Sequence, residues 1–380
     1  MRDYRVLVIG PRRALIETLR TRNIPFAVWR ERATFPVTDA CQTLTAPLWH
    51  TRAKLRQQIS TSFGAYGYTH VIAGTEAGVY PAAVARRVLG ARRQPATTAL
   101  RCHDKLAMKR YLAAHDIPMT AFIAESALHS AQEAFALLGA PLVRKHRRSS
   151  GGRGLELLHR PTELVQRRDG RTLLERHITA PEASVESFVN RGRIHFVNTT
   201  RYLEKGHVNF VPAGFDADLL ETLHAFNRRV IAALKIDWGM THLEVYLTPK
   251  GPLFGEIAVR PPGGYIMNAL RHAWGFDPWA ALVAMELDEP FDFPAAAATW
   301  AGVDILHPGS GQVADVRGAT AIRTHPALRE FRLKLRPGDT VDRREGAGQD
   351  TGYLLYTAAS PTSRLELFGY FREHFAIRMR

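Results

Sequence analysis

An α/β protein with a parallel sheet in its N-terminal part is what this 380-residue sequence predicts. Three observations lead there. Short apolar runs alternate with helical spacings through the first hundred residues, glycine-containing turns separate strand from helix, and two hairpin-like pairs of runs occupy the middle of the chain. At roughly 150 residues per domain the length implies two or three domains, enough to bury a sizeable core.

Tyr4 to Ile9 is an apolar run of buried-strand length. Leu15, Ile16 and Leu19 follow at helical spacing, and Pro25 to Trp29 is a second strand. His70 to Ala73 is another, ending at Gly74-Thr75-Glu76-Ala77-Gly78 before a helical stretch from Pro81 to Leu89. Gly10 stands alone after the first strand, so no G-x-G-x-x-G dinucleotide loop forms there. Asp104 opens a helix that stops before Pro118, and Ser130-Ala131-Gln132-Glu133 is a capping box for a helix ending at Gly139. Pro141 to Lys145 is a strand leading into Ser149-Ser150-Gly151-Gly152-Arg153-Gly154. Ser184 to Val189 and Ile194 to Thr200 form a hairpin around Arg191-Gly192. Leu219, Leu220, Leu223, Phe226, Val230, Ile231 and Leu234 make a long amphipathic helix. Thr241 to Thr248 and Leu253 to Arg260 form a second hairpin around Pro249-Lys250-Gly251-Pro252. The Ala-rich stretch Pro294 to Thr299 marks a boundary before a final α/β segment.

Lys plus Arg is 51 against 36 for Asp plus Glu, a net charge of +15, which suggests an anionic partner: nucleic acid, a membrane surface or a phosphate-rich small molecule. Only eight of the 51 are lysine, so a lysine at a motif position carries more information than usual. No apolar run is long enough to span a membrane, and the start lacks the pattern of a signal peptide. Cys41 and Cys102 lie far apart and outside any C-x-x-C, against a disulfide framework or zinc site, and the cytoplasm is the expected compartment. The basic stretches Arg2 to Arg56 and Arg144 to Arg171 allow a nucleic-acid-binding alternative, but no recognition module or aromatic-interleaved stripe accompanies them.

The second hairpin asks for a cation. With its turn centred on Lys250, Glu244 lies opposite Glu256, their Cβ atoms about 4.5–5.5 Å apart. Opposed carboxylates repel unless one is protonated or a cation sits between them. Mg2+ would use such oxygens and keep positions for waters and phosphate oxygens. By alternation His242, Tyr246, Phe254, Ala258 and Arg260 share that face, while Leu243, Val245, Leu247, Ile257 and Val259 face the core. The alternative is an exposed hairpin with solvated glutamates and a shifted register. The glycines after Lys145 can turn N–H groups toward phosphate oxygens, although no Walker A sequence follows, and a surface loop is the alternative. For Lys145 and Lys105 the alternative is a solvated face.

In their order these pieces resemble the ATP-grasp superfamily of carboxylate–amine ligases. His103-Asp104-Lys105-Leu106-Ala107-Met108-Lys109 looks like its D-K-x-x-x-K opening. Pro141 to Lys145 with Ser149 to Gly154 looks like the nucleotide lysine and phosphate lid. Leu174-Glu175-Arg176-His177-Ile178 and Pro181-Glu182-Ala183-Ser184-Val185-Glu186 match the adenosine segment. His242-Leu243-Glu244 and Glu256-Ile257-Ala258-Val259-Arg260-Pro261-Pro262-Gly263-Gly264 match the metal strands. The resemblance covers residues 1 to about 290. It implies an ATP-grasp fold: an N-terminal Rossmann-like parallel-sheet domain (1–102), a small lid domain (103–182), a catalytic domain with the metal hairpin (183–293) and a C-terminal α/β subdomain (294–380).

The resemblance also assigns roles. Lys105 and Lys145 contact ATP phosphates or adenine, and Ser150, Gly151 and Gly152 close over the triphosphate. The hinge from Glu175 to Ile178 reads adenine through backbone groups, and Glu182 holds the ribose hydroxyls. Glu244 and Glu256 bind Mg2+, or Mn2+ in its place, and Arg260 stabilises the acyl phosphate and the oxyanion formed from it. Many members carry Asn where this chain has Ala258, opposite His242, as in the dipeptide-forming L-amino acid ligase branch. That branch also has an E-x-x-H, here Glu204-Lys205-Gly206-His207, which sends Glu204 toward the amino substrate and His207 toward phosphate; ordinary loop residues are the alternative. Gly264, four residues after Arg260, leaves room for a bulky first substrate.

The expected activity is therefore ATP-dependent amide or peptide bond formation between a small carboxylate and an amine, in dipeptide or natural-product synthesis, with ADP and phosphate released. A homodimer is compatible with it. An ATP-grasp carboxylase or a ligase modifying a protein tail is the alternative within the family.

Overall fold

The computed structural model describes residues 3–91, 95–346 and 348–380. Met1 and Arg2, where the basic stretch ending at Arg56 begins, lie outside these. The first unit runs β1 (Val6–Ile9), α1 (Arg13–Thr21), β2 (Phe26–Arg30), β3 (Gln42–Thr45), α2 (Arg52–Phe63), β4 (His70–Ala73) and α3 (Glu76–Val88). Its sheet is parallel in the order β3-β2-β1-β4. The continuous apolar character of β1 follows from coverage on both faces: Val6 and Val8 pack with Leu15, Ile16 and Leu19 of α1, whereas Leu7 and Ile9 pack with Leu55, Ile59 and Phe63 of α2.

Two elements here were not anticipated, and one was misplaced. β3 is a half-exposed edge strand of mostly polar residues, and α2 hides its Leu55-Ile59-Phe63 face among basic and polar residues. The helix expected from Pro81 starts instead at Glu76. Gly78 is thus helical rather than a turn residue: a Cβ there would sit 2.4 Å from the Ile9 carbonyl, so glycine lets α3 lie directly against β1.

After α4 (Ala96–Arg101), Asp104 caps α5 (Lys105–Ala113) by accepting from the Leu106 and Ala107 amides. A second unit follows as β5 (Phe122–Ala124), α6 (Ala131–Leu138), β6 (Leu142–His146), β7 (Glu156–Leu158) and β8 (Thr172–Arg176), with an antiparallel sheet ordered β5-β8-β6-β7. Ser130 caps α6 by accepting from Glu133 N, but the Glu133 carboxylate reaches His129 N rather than Ser130 N, so the box closes one residue early.

The remaining chain builds β9 (Glu182–Asn190), β10 (Arg193–Glu204), β11 (Val208–Val211), α7 (Ala217–Leu234), β12 (Trp238–Thr248), β13 (Gly251–Ala258), α8 (Ile266–Trp274), α9 (Pro278–Glu286), β14 (Trp300–Leu306), β15 (Gly311–Arg317), α10 (Ala319–Arg323), β16 (Leu328–Leu333), β17 (Thr340–Val341), β18 (Gly352–Ala358), α11 (Pro361–His374) and β19 (Ala376–Met379). Eight strands form one sheet, ordered β13-β12-β9-β10-β11-β14-β18-β16, so the chain beyond residue 294 extends the sheet that carries the hairpin. The apolar stripe of α7 covers Val185, Leu243, Val245 and Ile257. Among the described residues no helix is long and apolar enough to cross a membrane.

Candidate active site

The hairpin of β12 and β13 pairs Glu244 directly with Glu256, flanked by Leu243 opposite Ile257 and His242 opposite Ala258. Beyond Glu244 the register shifts by one, Val245 pairing with Phe254. Gly255 is skipped, and a Cβ on it would lie 2.9 Å from the Glu244 carbonyl oxygen. The bulge turns Phe254 inward: it is fully buried among Leu243, Val245 and Ile257 rather than on the polar face where strict alternation puts it.

Sheet neighbours complete the polar face. β9 sets Glu186 beside His242, Ser184 beside Glu244 and Glu182 beside Tyr246. The opposed glutamates are balanced from two sides. Lys105 Nζ lies 3.1 Å from Glu256 Oε1; Lys205 Nζ lies 3.5 Å from Glu244 Oε2, and His242 Nε2 3.6 Å from Glu244 Oε1. Burial alone would raise the Glu244 carboxyl, but Lys205 and His242 outweigh it and hold the group well below the usual carboxylate range. His242 is in turn raised, burial being overcome by Glu186 and Glu244. Its Nδ1 sits 2.9 Å from Glu186 Oε1. Glu186 also accepts from Ser184 Oγ (2.6 Å), Asn198 Nδ2 (2.7 Å) and Thr200 Oγ1 (2.7 Å).

No group of three or more His, Cys, Asp or Glu side chains arranged to hold a metal occurs among the described residues. The donor set nevertheless fits Mg2+, which is commonly held by one or two carboxylates with the remaining positions filled by waters and substrate phosphates.

A second centre lies between α5 and the β5-β8-β6-β7 sheet. Lys145 Nζ is 3.0 Å, and Lys109 Nζ 3.3 Å, from Glu175 Oε2. Burial pushes Glu175 up, but the two ammonium groups bring it down to about 2. Burial likewise opposes the charge of Lys145, yet attraction to Glu175 raises it; at the more deeply buried Lys109 desolvation wins and lowers it. The Glu175 backbone is engaged within the sheet, and Arg176 N and His177 N donate to the Ala121 and Pro141 carbonyls. Half-buried Ile178 therefore begins the part of the hinge segment that lies beyond β8.

The glycine-rich loop carries Gly151 and Gly152 at φ of +67° and +75°. Ser150 Oγ accepts from Arg153, and the Ser149 carbonyl accepts from Lys105 Nζ. Arg147 and Arg148 anchor the loop on the Asp104 carboxylate at 2.8 and 3.2 Å, and the Arg148 guanidinium lies over exposed Trp49. Glu182 pairs with Lys205; burial, with the nearby Glu244 charge, leaves its carboxyl raised.

Arg260 stands just past β13. Its Nε donates to Glu76 Oε2 at 3.0 Å and its Nη1 to the Pro261 carbonyl; Glu76 Oε1 meets His103 Nδ1 at 2.9 Å. Arg12 holds the Pro261 and Pro262 carbonyls from the N-terminal unit, where burial and the Arg260 charge lower its pKa to about 9. Glu204 pairs at 3.0 Å with Arg372 of α11, which also holds Asp304, while His207 packs against Arg344.

The structure thus gathers Lys105, Lys145, Glu175, Glu182, Glu244 and Glu256 in one region, with the 149–154 loop beside it. Sequence reasoning missed Lys109 and Lys205 as partners, Glu186 behind His242, and Glu76 and Arg12 behind Arg260. Lysine scarcity could have found the first two: Lys105, Lys109, Lys145 and Lys205 are four of the eight lysines. The alternation Glu182-Ser184-Glu186 on a strand could have found the third.

Residues 305–373 match the family described as L-amino acid ligase C-terminal domain 2. An L-arginine-specific L-amino acid ligase of Bacillus subtilis is 24% identical over 311 residues, 76% of this chain and 75% of that protein. Protein y4rH of Sinorhizobium fredii (strain NBRC 101917 / NGR234) is 24% identical over 278 residues, 69% of this chain but 58% of that protein, so the chain spans well under two thirds of its length. The crystal structure of an L-amino acid ligase from Bacillus licheniformis superposes with a TM-score of 0.83 at 17% identity, covering 100% of both chains, a likeness of fold.

Proposed function

Because the chain belongs to the ATP-grasp superfamily of carboxylate–amine ligases, we propose that it joins a small carboxylate, such as an amino acid, to an amine at the expense of ATP. The observation that carries this reading is the Glu244–Glu256 pair with four lysines drawn around it and its neighbours. Four lysines here face four glutamates, and a cation held by Glu244 and Glu256 would release Lys105 and Lys205 toward a polyphosphate. Glu244 and Glu256 would hold Mg2+, which would supply charge neutralisation for the triphosphate.

The substrate carboxylate displaces ADP to give an acyl phosphate; the amine then attacks the acyl carbon, phosphate leaves, and one proton passes from the amine to solvent. Lys145 and Lys105 orient the phosphates. The amides of Ser150, Gly151 and Gly152 close over them and exclude water from the acyl phosphate. Glu182 takes the ribose hydroxyls, and the backbone from Ile178 onward meets the adenine. Arg260, with Nε and Nη1 taken by Glu76 and Pro261, presents Nη2 to the oxyanion of the tetrahedral intermediate. An ATP-consuming reaction is in keeping with the cytoplasm as its compartment.

The test is a phosphate-release screen over amino acids and other small carboxylates paired with amines, with mass spectrometry of the product. Release should require both partners, and Glu256→Ala should abolish it. Full turnover in that variant would overturn the proposal.

A further inference from the structure

Resting on the ligase reading, we propose that Arg344, on the loop between β17 and β18, binds an oxyanion of a reactant in the same site: a phosphoryl group or an unreacted substrate carboxylate. Neither the E-x-x-H motif nor the hairpin points to this residue, which lies in the chain's final segment.

Arg344 sits where three pieces meet. Its Nη2 donates to the Gly206 carbonyl at 2.8 Å, and its Nη1 lies 3.0 Å from His207 Nε2. An arginine N–H can only donate, so a His207 ring nitrogen accepts. These residues belong to the turn whose Lys205 reaches Glu182 and Glu244. Arg344 Nε makes a 3.4 Å contact with the Gly346 carbonyl, and Gly346 abuts the phosphate lid: a Cβ there would fall 2.6 Å from the Gly151 carbonyl oxygen. One guanidinium therefore spans the turn beside the carboxylates and the loop expected to cover the triphosphate.

Like Arg12 and Arg364, which hold backbone carbonyls, Arg344 has no carboxylate partner among the described residues, unlike the arginines that follow. Arg372 has Glu204 and Asp304, Arg260 has Glu76, Arg147 has Asp104, and Arg144 has Glu125 and Glu156. Arg344 has no ion pair among the described residues. Asp350 attracts it from a distance, but that carboxylate is bonded to Tyr265 Oη and Lys334 Nζ. Half-buried His307 lies close enough that Arg344 and His207 both lower its pKa, after burial itself. A half-buried guanidinium bounded by imidazoles and carbonyls, with three of about five N–H donors used, is suited to a carboxylate or phosphoryl oxygen.

The test uses the full chain with Arg344→Gln and Arg344→Lys, each checked for an unchanged thermal midpoint. Calorimetric titration with inorganic tripolyphosphate and Mg2+ reads the phosphoryl arm: about a tenfold loss of affinity is expected for Gln and a smaller one for Lys. The carboxylate arm is read in the amide-forming assay, as about a tenfold rise in KM for an amino-acid acceptor that vanishes when its carboxylate is capped as the amide. A loss in either arm supports the proposal and names the source of the oxyanion. Unchanged tripolyphosphate affinity together with unchanged KM overturns it. If wild-type protein turns over no carboxylate–amine pair, the ligase reading fails separately, and the titration alone decides Arg344: equal affinity in wild type and Gln overturns its role.

Discussion

Glu175 in the four-stranded antiparallel sheet and Glu186 in the eight-stranded sheet are both buried carboxylates, and they are satisfied by different means. Glu175 is neutralised by charge, with Lys145 and Lys109 sharing one of its oxygens while the other, Oε1, has no hydrogen-bond partner among the described residues. Glu186 is held by a serine, an asparagine, a threonine and an imidazole, each on its own or a neighbouring strand. Under the proposed function, the first arrangement leaves ammonium protons to turn toward an incoming phosphate. The second fixes both oxygens and, through them, the orientation of His242 against Glu244. One centre is built to exchange partners and the other to stay still.

The largest test of that contrast is Glu175→Ala, which strands two lysines in a buried site. It should cost about 3–5 kcal/mol, read from the midpoint of urea denaturation; a loss below about 1 kcal/mol would mean that the lysines are solvated and the contrast is false. The acid limb of stability reports the same centre. Because the Glu175 pKa falls from 4.5 in the unfolded chain to about 2, its contribution is complete above pH 4.5 and disappears as the pH drops toward 2. Glu175→Gln should flatten the stability profile in that window, and an unchanged profile would assign the acid sensitivity elsewhere.

Glu186→Gln should have a smaller effect on stability, about 1–3 kcal/mol, because its neutral donors lose an acceptor without stranding a lysine. Its clearer signature should be about a 10- to 100-fold rise in the Mg2+ concentration needed for activity or for tripolyphosphate binding, since it orients His242 behind a metal glutamate. A stability loss with no change in metal requirement would reduce Glu186 to a packing residue. Lys145→Met should raise the KM for ATP about tenfold while Lys109 continues to neutralise Glu175. The smallest effect is expected at the half-exposed Glu204–Arg372 pair, where Glu204→Gln, which leaves Arg372 on Asp304, should cost no more than about 1 kcal/mol in the urea midpoint.

How much of this was legible depends on the range of the interaction involved. The Glu244–Glu256 pairing followed from turn position and strand period, both local. The bulge at Gly255 was not legible, because a skipped residue leaves no mark in an alternating pattern when glycine occupies it; Phe254 was misassigned for that reason. Asp104 and Ser130 were found as caps because a cap acts on the next three residues. Nothing near Arg260 in the chain points to Glu76, its partner from α3, and nothing near His207 points to Arg344.

Residue order alone was enough to specify the alternation of strand and helix, the opposed glutamates and the concentration of scarce lysines at motif positions, since each rests on spacing within one element or hairpin. Only the folded chain decided which cation balances which carboxylate, that the N-terminal unit holds the Arg260 loop through Glu76 and Arg12, and that the last segment brings Arg344 near the 149–154 loop. Those pairings join residues far apart in sequence, and a charge selects its partner by distance and burial in space, neither of which periodicity encodes.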